Sequence, residues 1–258
     1  MRALLTILGL LLAAAAPAAA ERFSLNYAAA AWGLLPLGDI VLDFDVTDTR
    51  YEVDARLQSR GLAALFERTA LTAHAAGRIE NGAARPEHYT LDHRYSHKRR
   101  TIDMTMSVSG VSATIEPTFR LWGEPPASDE QKRAARDPLS SLVAMALDVR
   151  RAQGCDGDYL TFDGRFLYRL ELRGGAPDHV DTGAYDGPAL RCDLRYVAVA
   201  GYQPGRGRPR VPEGRIWFAL VEGAAFAPPV RITAPLPIGG AHIAVTQWRR
   251  PSVEVAGS

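Results

Sequence analysis

The densest run of side chains able to do chemistry is Arg94-Tyr95-Ser96-His97-Lys98-Arg99-Arg100. Arginine forks hold carboxylate or phosphate through parallel hydrogen bonds and lysine adds a point charge, so Arg94, His97, Lys98, Arg99 and Arg100 are candidate contacts for an anionic ligand. The same run also fits a solvated hairpin end or an edge strand whose charges block pairing. Nearby, His74, His88 and His93 join His97 as potential metal ligands. Their spacing argues otherwise, because in an extended strand His93 and His97 share a face while His88 takes the other, and no H-E-x-x-H or cysteine partner is present. No metal and no other cofactor is expected. Ser140-Ser141 and Asp137 set a nucleophile near an acid, yet no G-x-S-x-G elbow surrounds them and Asp137 is better explained as a helix cap. The expectation is a protein that is not an enzyme.

The N-terminus says where these groups work. Met1-Arg2, the apolar stretch Ala3 to Ala16 and then Pro17-Ala18-Ala19-Ala20 before Glu21 form a secretory signal peptide, with cleavage expected after Ala20. About 14 apolar residues fall short of the roughly 20 that span a bilayer. The mature chain is thus expected in the periplasm and not across a membrane. Cys155 and Cys192 are the two cysteines, and in an oxidising compartment they most simply form one disulfide. Closing that span by chain entropy is worth about 3–4 kcal/mol. Without the leader the chain carries 29 basic and 29 acidic side chains, a balance that argues against a general polyanion binder. The export signal disfavours nucleic acid.

Stepping outward to the elements, period-two alternation punctuated by Gly, Pro, Asn and Asp dominates. Asp39 to Val46 shows it: Ile40, Leu42, Phe44 and Val46 alternate with a mostly polar face. Similar runs continue to His242–Arg249, about a dozen strands in all, with Asn81-Gly82 supplying turn chemistry and Asp163-Gly164 read as a tight type I′ turn. One segment differs. Asp137-Pro138 opens a helix, and Leu139, Leu142, Val143, Ala146 and Leu147 recur at helical spacing up to Arg150-Arg151, with Gly154 as the expected stop. The fold class is mainly β: residues 21–258 form a single domain of mostly antiparallel strands in a curved, spiral or barrel-like sheet. The amphipathic helix of about residues 138–151 packs on or inside it. A short helix at Gly61–Phe66 is a weaker signal, and Gln203–Glu213 reads as a basic loop. Ala28–Ala31 with Trp32, Leu34, Leu35 and Leu37 is unusually apolar and either lines a lipophilic cavity or packs as core.

The chain resembles the DUF3108 family of bacterial envelope proteins. The resemblance rests on Tyr27 followed by Trp32-Gly33 and Leu37-Gly38-Asp39, on Arg60-Gly61-Leu62, and on Pro86-Glu87-His88-Tyr89 leading to Lys98-Arg99-Arg100. It continues through Asp137-Pro138-Leu139-Ser140, Cys155, Asp163-Gly164-Arg165, Cys192, Tyr196, Ala200-Gly201-Tyr202, Ile216-Trp217-Phe218 and Pro229-Val230-Arg231-Ile232. It implies a curved or spiral sheet partly wrapping a helix, similar in general shape to periplasmic lipoprotein carriers and envelope-integrity proteins. Fold does not establish function.

The functional expectation is therefore a non-enzymatic periplasmic envelope protein that binds an amphiphile or an envelope polymer, or supports envelope integrity. Lipid, lipopolysaccharide or peptidoglycan is the ligand class, and an envelope protein is the alternative partner. The second reading is a module that docks its partner by strand addition. The third is a cell-wall or lipid hydrolase whose site is assembled from distant residues.

Overall fold

The computed structural model describes residues 21–203, 213–236 and 239–250. The expected leader, residues 1–20, and most of the basic loop lie outside the described residues. The first half of the chain is a meander of β1 (Glu21–Ala31), β2 (Leu35–Val46), β3 (Arg50–Ser59), β4 (Thr69–Glu80), β5 (Ala83–Tyr95), β6 (Lys98–Ser107) and β7 (Gly110–Glu116), with α1 (Gly61–Phe66) between β3 and β4. Then come α2 (Asp129–Ala134) and α3 (Pro138–Ala152). The second half is β8 (Gly157–Phe162), β9 (Leu167–Asp181), β10 (Asp186–Ala200), β11 (Gly214–Ala219), β12 (Pro229–Leu236) and β13 (Gly239–Arg249).

All 13 strands belong to one sheet, ordered β7-β6-β5-β4-β3-β2-β1-β13-β12-β11-β10-β9-β8. The two halves join where β1 pairs antiparallel with β13, so neither long loop divides the sheet. β7 and β8 are its edges and do not pair with each other. The sheet is nevertheless strongly curled, because α3 touches β3, β4, β5 and β8, strands from opposite ends of that order. One short segment helps hold the curl. Arg136 bridges the edge of β8, accepting from Phe162 N at 2.8 Å and donating its own N–H to Leu160 O at 2.9 Å, while its Nε donates to Ala84 O in β5 at 3.1 Å.

α3 begins where Asp137 accepts hydrogen bonds from Leu139 N at 3.0 Å and Ser140 N at 2.9 Å, with Pro138 in the first turn. This satisfies donors that a helix start otherwise leaves unpaired. The helix ends at Gln153 in a left-handed conformation, one residue before the expected Gly154 stop. Val143, Ala144, Met145, Ala146, Leu147 and Val149 are buried on consecutive faces, so the helix lies inside the curl and not merely against one wall.

Two local readings change. Asp163-Gly164 is part of a four-residue turn, since β8 stops at Phe162 and β9 starts at Leu167. The Asp163 carboxylate accepts from Arg165 N and Phe166 N at 2.9 and 2.7 Å, and this side-chain bridge replaces the tight type I′ geometry. The segment after Pro126, given no element by the patterns above, contains α2, whose start is a capping box: Gln131 N donates to Ser128 Oγ and Ser128 N to Gln131 Oε1. Cys155 and Cys192 form the expected disulfide and are both buried, tying the chain after α3 to β10.

Candidate functional site: an open half of the barrel

Cross-strand partners share a face, so the inner wall from β2 to β6 can be followed row by row. The row Phe44, Val53, Ala75, Tyr89 and Met104 is fully buried. The next row, Leu42, Ala55, Ala73, Leu91 and Ile102, is buried except at Leu91. The third, Ile40, Leu57, Leu71, His93 and Arg100, is partly exposed throughout. The interior is thus packed at one end and accessible at the other.

Packing follows from what fills each end. At the closed end Tyr51 OH donates to Ser140 Oγ at 2.7 Å, Arg151 of α3 reaches Gly82 O, and Phe226 inserts against Phe23 and Phe44 with ring centroids 6.1 and 5.1 Å apart. In the next row the wall carries the small, buried Ala55 and Ala73, and in the second half of the sheet the Tyr168 and Tyr196 rings stack at 4.7 Å. Burial pushes both of these phenols above their ordinary range. Arg100 and His93 stand opposite each other in register, which puts cationic capacity at the mouth.

The apolar stretch read as cavity lining or core lies partly outside both. Trp32, Leu34 and Leu35 form the β1–β2 hairpin tip, where positive φ at Trp32 (50°) and Gly33 (70°) turns the chain and carries the side chains into solvent. Leu37 is half-buried in β2. Trp32 is 53% exposed and Leu34 82%. Beside them α1 packs on β2, with the Arg60 N–H donating to Leu37 O, and holds Leu65 and Phe66 at 80% and 89% exposure. Five large apolar side chains therefore ring the lip of the open end. The chain is extended to Ala31 because β13 covers Ala28–Ala31 on one side and β2 on the other.

The basic run is divided by strand alternation. Ser96 and His97 make the β5–β6 hairpin tip, with Lys98 opposite Tyr95. Arg94 and Arg99 point outward to Asp92, which Arg99 meets with two hydrogen bonds of 2.9 Å. That bonding, followed by the charges of Arg99 and Arg94, holds the Asp92 carboxyl below its usual range. Arg100 belongs to the inner row, donates to Pro117 O at 3.1 Å and lies 4.0 Å from the Phe119 ring centroid. The five residues do not converge on one ligand. His97 and Lys98 sit on the lip and Arg100 in the mouth. The histidines also separate, His74 to Asp54 at 3.1 Å and His88 to Asp103 at 3.0 Å on the outer face.

Asp137, Ser140 and Ser141 lie together, but with no exposed surface. Ser140 Oγ donates to Asp137 and receives Tyr51 OH, while Ser141 Oγ and Thr161 Oγ1 are 2.8 Å apart. Burial raises the Asp137 carboxyl, opposed by the Ser140 hydroxyl and by backbone N–H groups. The network pins the start of α3 to β3 and β8. Substrate has no path to it.

A family model described as protein of unknown function, DUF3108, matches residues 23–246. The chain belongs to the DUF3108 family. No curated protein matches the sequence. Among solved structures, this DUF3108 chain is similar to a beta-barrel-like protein of the DUF1849 domain of unknown function from Brucella abortus. The identity is 9%, the TM-score 0.56, and the alignment covers 90% of this chain and 99% of that one. At that identity the likeness is one of fold, and it agrees with a curled antiparallel sheet.

Sequence reasoning missed the inner row itself. Ala55 and Ala73, two small residues opposite each other in register, were the available signal.

Proposed function

We propose that this protein is a non-catalytic periplasmic envelope protein that binds an anionic amphiphile. The apolar part of the ligand occupies the open half of the barrel and its charged end meets Arg100, His93 and the Lys98 lip. The observation that carries this reading is the step from fully buried to partly exposed along the inner rows. Apolar walls with a few convergent polar groups are the usual chemistry of small-molecule sites. The Lys98 cation, which has no carboxylate partner among the described residues, and the apolar lip suit a ligand drawn from a lipid surface. No helix among the described residues is long and apolar enough to cross a membrane.

The test is native mass spectrometry with lipid extraction of the oxidised mature protein, followed by titration with cis-parinarate, a fluorescent anionic amphiphile. A bound amphiphile, displaced by cis-parinarate and lost in the cavity-filling variant A73L, is the expected result. A clean apo mass with no saturable cis-parinarate signal overturns it. That outcome would favour the second reading, docking of an envelope protein by strand addition at β7, whose outer edge has no strand partner.

A further inference from the structure

We infer a second binding site, for a compact organic oxyanion, at the seam between β7 and β8, with Arg165 as its recognition residue. A cavity of about 260 Å³ opens there between Val111 and Ala113 of β7, Trp122, Lys132 of α2, Phe162 and Arg165. None of these lining residues belongs to the inner rows of the open half; Phe119 also meets Arg100 at its mouth, so the two readings are separated by testing each with its own ligands and variants.

The Arg165 guanidinium is held between two rings, 4.7 Å from the Phe166 centroid and 4.9 Å from that of Phe119. A guanidinium fixed by its faces can donate only in its own plane, the geometry that matches carboxylate and phosphate. Its Nε is buried with no hydrogen-bond partner, and among the described residues no carboxylate pairs with it. The nearby acids are already engaged. Asp163 accepts the backbone N–H groups of Arg165 and Phe166, and Asp129 pairs with Lys132 at 3.1 Å. A buried donor without an acceptor carries an uncompensated desolvation cost, and because the same side chain lines the cavity, an oxyanion that draws the guanidinium toward it and reaches Nε removes that cost.

The remaining walls define what the oxyanion is attached to. Val111, Ala113, Phe162 and the half-exposed Trp122 offer apolar contact, and Lys132, whose charge Asp129 already pairs, lies 6.0 Å over the Phe162 ring. A flat apolar body carrying one carboxylate or phosphate satisfies all of them. Bare phosphate satisfies only the cations.

The experiment uses the oxidised mature protein and two-dimensional NMR of arginine Nε–H and tryptophan indole groups, titrated with phenyl phosphate, benzoate and inorganic phosphate. Phenyl phosphate or benzoate is expected to shift the Arg165 Nε–H and Trp122 indole signals saturably, with inorganic phosphate at least tenfold weaker. R165K should lose tenfold or more in affinity. W122A, which changes a wall without touching a charge, should weaken phenyl phosphate and leave inorganic phosphate unchanged. If neither organic anion gives a saturable shift, if inorganic phosphate binds as tightly, or if both variants bind like the parent protein, the proposal is overturned.

Discussion

Along β3, Val53 has no exposed surface, whereas Leu57, four residues on and facing the same interior, is partly in solvent. The same contrast recurs in β4 between Ala75 and Leu71, and in β6 between Met104 and Arg100. The strands are continuous through both halves, so the backbone cannot account for the difference. What differs is occupancy: α3 and Phe226 fill one half, and no helix among the described residues enters the other. Side chains of equal hydrophobicity therefore contribute unequally to stability, because burial and not residue type sets the free energy.

The sharpest way to break that comparison is to truncate one residue in each half. M104A should cost about 2–5 kcal/mol by leaving a cavity in a packed interior, while L71A should cost about 1 kcal/mol or less because water already reaches the site. Urea unfolding of the oxidised protein measures both. Equal losses would mean that the open half is closed in solution.

Asp137 tests the closed half by a different route. D137A removes the cap of α3 and strands the Ser140 hydroxyl, an expected loss of about 1–3 kcal/mol. Its pH dependence has a definite sign. The folded-state carboxyl is raised by burial, so the stability linked to its protonation is fully present below the unfolded value and is lost as pH rises through the folded one. The deficit of D137N relative to the parent, read from unfolding midpoints, should therefore widen on going from neutral pH to about pH 4. A deficit that narrows would show that Asp137 is stabilised as its anion.

These contrasts also define what could be read in advance. Alternation identifies which face of a strand is inward, and from Phe23 to Trp248 it does so because inner and outer positions differ in polarity. It carries no information on depth along the barrel, which depends on where a helix ninety residues away in sequence comes to rest against Tyr51. Hence Trp32, Leu34 and Leu35 look like cavity lining by composition, although a hairpin turn takes them outside. The Asp137 cap and the cysteine pair were legible because each rests on local chemistry or on a compartment. Arg165 was not, since Phe119 meets it only when the two sheet edges come together. The Ser128–Gln131 capping box was legible in principle, but a surrounding run of charges masks so short a helix.

Overpacking offers a smaller and more selective probe. A75L adds bulk to the filled half and should destabilise by about 1–3 kcal/mol. A73L adds the same bulk one inner position toward the mouth; if the proposed ligand space begins there, it should shift stability by less than about 1 kcal/mol while abolishing cis-parinarate binding. Loss of both stability and binding in A73L would place the boundary between the halves one row farther out.

The lip is expected to show the smallest effect on folding and a large one on association. Trp32, Leu34, Leu65 and Phe66 already lie in water, so W32S/L34S and L65S/F66S should each change stability by no more than about 0.5 kcal/mol. A large apolar side chain gains about 1.5–3 kcal/mol on full burial. Losing two from a lip that enters a lipid surface should therefore reduce binding to vesicles of phosphatidylglycerol and phosphatidylethanolamine by more than tenfold. Lys98, which has no carboxylate partner among the described residues, adds a salt-sensitive component, so K98Q should weaken the same binding modestly and only at low ionic strength. Co-sedimentation distinguishes the cases: if the serine variants bind vesicles as the parent does, the exposed ring is not a lipid contact, and the open half must receive its ligand from solution.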